Sequence, residues 1–239
     1  MGYTKEEQIA MVDQAFKELE ELALWDTDWK KCTVPSFKVN VFKKKASTWD
    51  GHVYKGVCLV KGSVDRVYDM LHPDINYYKH LWDPNVGKCQ IIEELTETIF
   101  KVYHVSKPGL GGLVAPRESY LLFRMDDEPT HKTVACCSYD HEQDELSLKS
   151  VDPSWKKKDM YCAWGYAGGV VIKPTADAEQ CEVTVVFQCD FRGKLNKKLV
   201  ENAMPSGVVE WCQALRKTHK LPYTPLTDVP GKRTKPPPQ

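Results

Sequence analysis

Near the N-terminus, apolar residues recur at intervals of three and four, with Ile9, Val12, Phe16, Leu19 and Ala23 on one side of a predicted helix and charged residues opposite. Thr4 and Glu7 have capping-box spacing, so the helix is expected to run from about Thr4 to Ala23. From Trp29 to Lys61 the period shortens to two, in the runs WKKCTV, SFKVNVFKK and HVYKGVCLVKG, and predicts an antiparallel meander. Ser63 caps a helix, SVDRVYDMLH, that Pro73 ends, and a second helical piece, DINYYKHLW, stops at Asp83-Pro84. Further strands follow: GKCQIIEEL, TIFKVYHVS, ESYLLFRMD, KTVACCSYD, MYCAWGYAGGVVIKP and CEVTVVFQCD. Their turn spacing is that of an antiparallel sheet and not of βαβ units. The polar stretch QDELSLKSVDPSWKKKD is expected to be a surface loop. A long helix is predicted from Leu195 to about His219, with Pro205-Ser206-Gly207 marking a kink or restart. The proline-rich residues 222–239 lack periodicity and are read as a disordered tail behind one domain, residues 1–221.

Composition narrows the function. A hydrophobic content of 42% supports a sizeable core, yet no apolar run reaches the ~18 residues of a membrane-spanning helix. With 33 basic and 33 acidic side chains there is no global field to recruit nucleic acid, so any membrane contact must be local and transient. The acidic start MGYTKEEQ fits neither a secretory signal nor the myristoylation pattern. Nine cysteines, an odd set without a CxxC pair, read as reduced core residues, and a cytoplasmic protein is expected.

The chain holds seven histidines but no HExxH, GxSxG, P-loop or GxGxxG, so no catalytic site, metal or cofactor is expected. His104 stands apart: alternation along Thr98 to Val105 places Phe100, Val102 and His104 on one face, taken as the inner one because Lys101 on the other should seek water. An inward histidine needs a polar partner in the protein or in a ligand. On the next strand Glu118, Tyr120, Leu122 and Arg124 share one parity, while Arg117, Ser119, Leu121, Phe123 and Met125 share the other. Charge on an inner face would need a partner, and Arg117 with Glu118 fits equally well as an exposed pair. Tyr77, Tyr78 and Trp82 read as core aromatics or as a choline cage. The lysine runs at 43–45 and 156–158 read as solvated faces able to touch acidic headgroups. Between the strands lies a connector, KPGLGGLVAP, that is far more apolar than a solvated loop requires.

The segments WDPNVGKCQII, YHVSKPGLGGLVAPRE, CEVTVVFQCDFRGKL and VVEWCQALRK, in this order and spacing, resemble the START lipid-transfer family from about Trp29 to Leu221, and most closely its cholesterol- and carotenoid-binding branch. The resemblance implies an α+β helix-grip fold, a curved antiparallel sheet wrapped around the C-terminal helix with an apolar tunnel between. It implies a monomeric, non-enzymatic carrier of one apolar lipid, a sterol or a carotenoid-like isoprenoid. The implied tunnel wall comprises Phe100, Val102, His104, Leu113, Glu118, Tyr120, Leu122, Arg124, Trp164, Val208 and Cys212, with Gly109, Leu110, Gly111 and Gly112 as the gate. In that branch an acid stands where this chain has His104 and pairs with an arginine whose offset here lands on Phe123, so Arg124 would need a bulge to point inward. A phosphatidylcholine-like ligand is the alternative, disfavoured because Lys79 stands where the phosphatidylcholine-transfer member has a phosphate-binding arginine. A cyclase or hydrolase of the wider superfamily, using His104 and Glu118, is the enzymatic alternative.

Overall fold

The Thr4 side chain accepts from the Glu7 amide at 3.2 Å and the Glu7 carboxylate accepts from the Thr4 amide at 2.7 Å, which fixes the start of helix α1 (Lys5–Ala23). This computed structural model describes residues 2–24, 28–35, 37–74, 77–109, 112, 114–155 and 160–228. After α1 come β1 (Lys30–Lys31), β2 (Asn40–Lys45) and β3 (His52–Lys61), then α2 (Val64–Met70) and α3 (Lys79–Trp82). Four longer strands follow, β4 (Val86–Glu94), β5 (Ile99–Ser106), β6 (Arg117–Glu128) and β7 (His131–Ser138). The polar stretch expected to be a loop contains the short helix α4 (Glu145–Ser150). The long run MYCAWGYAGGVVIKP breaks into β8 (Tyr161–Cys162), β9 (Trp164–Gly165) and β10 (Gly168–Pro174). The chain then forms β11 (Gln180–Phe187), β12 (Cys189–Asp190) and α5 (Lys197–Arg216), a helix that passes through Pro205 without a break.

The main sheet has the order β1-β2-β3-β11-β10-β7-β6-β5-β4, antiparallel throughout, and the two-residue β8 joins β6 in parallel. It is curved around α5: this is the helix-grip architecture. Both faces are covered, which removes the clean apolar–polar alternation of a half-solvated sheet. The inner face packs on α5 through Phe100, Val102, Phe123, Val134, Ile172 and Val185 against Val208, Trp211, Cys212 and Leu215. The outer face packs on α1 in two clusters, one around Tyr103, Tyr120 and Leu122, the other around Leu19, Val53 and Val171. Gly56 on β3 faces Val208 of α5 so closely that an added Cβ would stand 2.6 Å from its Cγ1; a glycine is what lets helix and strand meet there.

The packed chain extends beyond the expected boundary at 221. Tyr223 donates to Asp69 at 2.8 Å, the Leu226 amide does so at 2.9 Å, and Leu226 is buried. The lysine run 156–158 and the remainder of the expected tail lie outside the described residues.

Candidate functional site

Strand β5 turns Phe100, Val102 and His104 toward α5, as expected, although Lys101 does not face water. It is buried on the outer face, bonded to Glu93 at 2.9 Å and ion-paired with Asp144. Antiparallel pairing sets Phe100 opposite Phe123, Val102 opposite Leu121 and His104 opposite Ser119. Opposed residues share a face, so the inner residues of β6 are Ser119, Leu121, Phe123 and Met125.

The parity expected for the wall on β6 is therefore reversed. Glu118, Tyr120, Leu122 and Arg124 lie on the outer face, where the Tyr103 hydroxyl donates to Glu118 at 2.9 Å and Arg124 pairs with Asp13 of α1 at 2.8 Å. No bulge interrupts the β5–β6 register from Ile99 to Val105, so nothing returns Arg124 inward. His104 and Glu118, the pair an enzymatic reading would use, sit on opposite sides of the sheet. Trp164 lines an apolar groove between α1 and β9, with the Arg192 guanidinium 5.2 Å from its ring. Val208 and Cys212 join the inner cluster, packed against β3.

His104 is half-buried on the inner face of β5, opposite Ser119. Cys136, Cys189, Leu121, Phe187 and Met204 are likewise only partly buried. Burial first, and the Lys79 charge second, hold the His104 imidazole neutral with its pKa down at about 3. Burial pushes the Cys136 thiol up against the opposing pull of the same lysine.

Lys79 thus projects its charge into the interior, with Nζ 4.8 Å from the Phe123 ring centroid. Among the described residues it makes no ion pair. Its position was legible as a mismatch, a lysine among aromatic residues on a short helix, but sequence reasoning weighed it only as a counterpart of a family arginine. Asp83, next to it in the fold, is otherwise engaged: it is buried and accepts from Trp211 Nε1 at 3.2 Å and from the Asn85 amide at 2.9 Å.

By the start of α5 lies a cavity of about 280 Å³, bordered by Tyr54, Phe191, Val200 and Met204 and by the charged Asp190, Arg192, Lys197 and Glu201. The apolar connector after β5 closes on itself beside it. Gly109 and Val114 exchange backbone hydrogen bonds at 2.9 and 3.1 Å, and Gly112, at φ 97°, bonds back to the Gly109 carbonyl. Leu110, Gly111 and Leu113 lie outside the described residues. The loop is anchored by Arg117, expected either as an inner charge or as an exposed partner of Glu118. It shares the inner parity and is not an exposed pair: 4% exposed, it donates to the carbonyls of Ala115 at 2.8 Å and Phe191 at 2.7 Å, tying the loop to the segment that leads into α5.

The START domain family model matches residues 9–221. The chain belongs to the START domain family. Human StAR-related lipid transfer protein 5 is 30% identical over 196 residues, covering 80% of this chain and 86% of that protein. Human StAR-related lipid transfer protein 6 is 23% identical over 203 residues, covering 82% and 86%. The solved structure of human StAR-related lipid transfer protein 5 superposes with a TM-score of 0.79 over 91% of this START chain and 98% of that one, at 19% identity across the superposed residues. No helix among the described residues is long and apolar enough to cross a membrane.

Proposed function

We propose that this START protein is a monomeric, cytoplasmic, non-enzymatic carrier. It holds one lipid between the inner face of the sheet and α5 and exchanges it at membranes through the opening beside the Gly109–Val114 loop. Family membership and the names of its relatives support lipid handling. The observation that carries the reading is an apolar interior with one polar corner, His104 beside Lys79. A neutral imidazole offers one acceptor and one donor nitrogen, and an ammonium only donors. A single hydroxyl or keto oxygen on an otherwise apolar skeleton satisfies both, which fits a sterol or an oxygenated isoprenoid such as a carotenoid. The remaining wall would be Phe100, Val102, Leu121 and Phe123, with Met204 at the entrance. Burying such a skeleton at ~25 cal/mol per Å² of apolar surface exceeds the cost of ordering it in a preformed site.

A second ligand class is favoured by one feature. Lys79 has no acidic partner among the described residues, and an anionic phospholipid headgroup would supply one. Organic extraction of the purified protein, with mass spectrometry and a visible absorption spectrum taken beforehand, separates them. A sterol or a coloured isoprenoid supports the first reading and a phospholipid the second. Protein that arrives empty and takes up none of the three when offered overturns the carrier assignment.

A further inference from the structure

The lipid site leaves one strongly charged surface unused. Residues 29–45 carry six lysines and no acid, and residues 213–220 carry Arg216, Lys217, His219 and Lys220 and no acid, in a chain whose formal charge is zero. The fold brings the two segments together, because Arg216 at the end of α5 donates to the Phe37 carbonyl at 2.8 Å. Lys45 is paired with Asp50, and Lys44 lies over the Trp29 ring. Lys30, Lys31, Lys38, Lys43, Lys217 and Lys220 make no ion pair among the described residues.

Two local features run against stability. Lys30 and Lys43 are direct cross-strand partners, an arrangement in which like charges repel. Phe37 and Lys38 are consecutive left-handed residues, φ 42° and 65°, at a turn where Asn-Gly would be unstrained. The strained turn leaves Phe37 67% exposed, the most exposed of the large apolar side chains among the described residues, in the midst of the lysines. A sequence that breaks two local rules at one surface without a packing gain points to something outside the fold.

We propose that this face, the β1–β2 edge with the end of α5, docks the protein on membranes rich in anionic lipid: the lysines meet the headgroups and Phe37 enters the interface. The surface lies at the end of α5 opposite the 280 Å³ cavity, which borders Val200 and Met204, so it is a tether separate from the exchange route. An acidic protein would satisfy the lysines but gives no reason to hold an aromatic ring outward in a strained turn. The choice of a membrane rests on the carrier reading above. The competing account is that lysines on an edge strand merely prevent it from pairing with another sheet.

The test is co-sedimentation of the full chain with phosphatidylcholine vesicles, with and without phosphatidylserine, at low and high salt. Wild-type protein should partition to the anionic vesicles only, and less so as salt rises. Replacing Lys30, Lys38 and Lys43 with Gln should weaken that partition about fivefold each, roughly a hundredfold together. Phe37→Asn, which suits the left-handed backbone, should weaken it severalfold without loss of thermal stability. Should a Gln variant fold poorly, the Lys→Glu series keeps the edge charged and should abolish binding. Equal partition to both vesicle types, unchanged partition in the variants, or capture by polyglutamate but not by vesicles would each overturn the docking face. Gln variants that self-associate, in a protein without vesicle preference, would establish edge protection instead. Lipid content measured by extraction in the same variants should not change, so a failed docking face and a failed lipid site give different results.

Discussion

The Arg124 guanidinium lies 2.8 Å from the Asp13 carboxylate, joining the middle of β6 to α1 on the outer face of the sheet. It also packs 4.2 Å from the Phe16 ring and bonds Asp126 at 3.3 Å. The cation that the family resemblance would send into the interior is thus a clasp for the N-terminal helix, and the interior cation is Lys79. Because both partners of the Arg124–Asp13 pair are partly exposed, the pair is worth little. A double-mutant cycle with Arg124→Ala and Asp13→Ala, read by urea denaturation, should give a coupling energy of about 0.5 kcal/mol. Lipid content should be unaffected in either variant, and a drop in Arg124→Ala alone would place that side chain back at the ligand.

His104 should leave a mark on the pH dependence of stability. Its folded pKa, about 3, lies below the ordinary 6.5, so between those values the unfolded chain binds more protons than the native one. The stability it allows is fully present above pH 6.5 and is lost as pH falls toward 3. Each pH unit in that window costs up to ~1.4 kcal/mol. Urea denaturation of wild type and His104→Phe at pH 7 and again near pH 4.5 should show the wild type losing roughly 2–3 kcal/mol more than the variant. Equal losses would mean that the imidazole is solvated and titrates normally.

How much of this was legible beforehand follows from which signals the two sheet faces leave in a sequence. The helix ends were readable because Thr4–Glu7 and Ser63 are local chemistry, and the antiparallel order because turns are local too. Family motifs supplied the curvature around α5. The inner wall on β6 was not readable from β6 itself: Tyr120 and Leu122 are as apolar as Leu121 and Phe123, since α1 covers one face and α5 the other. Cross-strand reasoning from Phe100 would have placed Phe123 beside it, had the hairpin register been known. Lys101 misled in its reason but not in its result, because a buried ion pair with Asp144, more than forty residues later in the chain, leaves no local trace. The conformation of Phe37 is likewise invisible in a stretch whose alternation with Val39 and Val41 reads as strand.

Arg117 offers a sharper test of the loop anchor. Its guanidinium serves carbonyls from two segments at once, and lysine cannot reproduce that fork. Arg117→Lys should therefore behave almost like Arg117→Ala, each costing about 2–4 kcal/mol through carbonyls left unsatisfied in a buried place. Limited proteolysis should then cut first within the 107–116 connector. If lysine restores both stability and protection, the anchor is a simple charge and not a geometric fit.

Finally, the contact of Gly56 with Val208 makes the grip itself testable. A methyl group at 56 would meet Val208 Cγ1 at 2.6 Å, Val185 Cγ1 at 3.1 Å and the Cys212 sulfur at 3.3 Å, so Gly56→Ala should destabilise by about 1–3 kcal/mol. Val208→Ala removes the nearest obstacle and, alone, should cost roughly 2 kcal/mol through the space it leaves. The double variant should cost less than the sum by at least ~1 kcal/mol, because the new methyl occupies the vacated volume. If lipid passes by a loosening of α5 from β3, release should be faster in each single variant and return toward the wild-type rate in the double one. Rates that ignore all three substitutions while stability follows the pattern would show that α5 stays clamped during exchange, leaving the movement to the Gly109–Val114 loop.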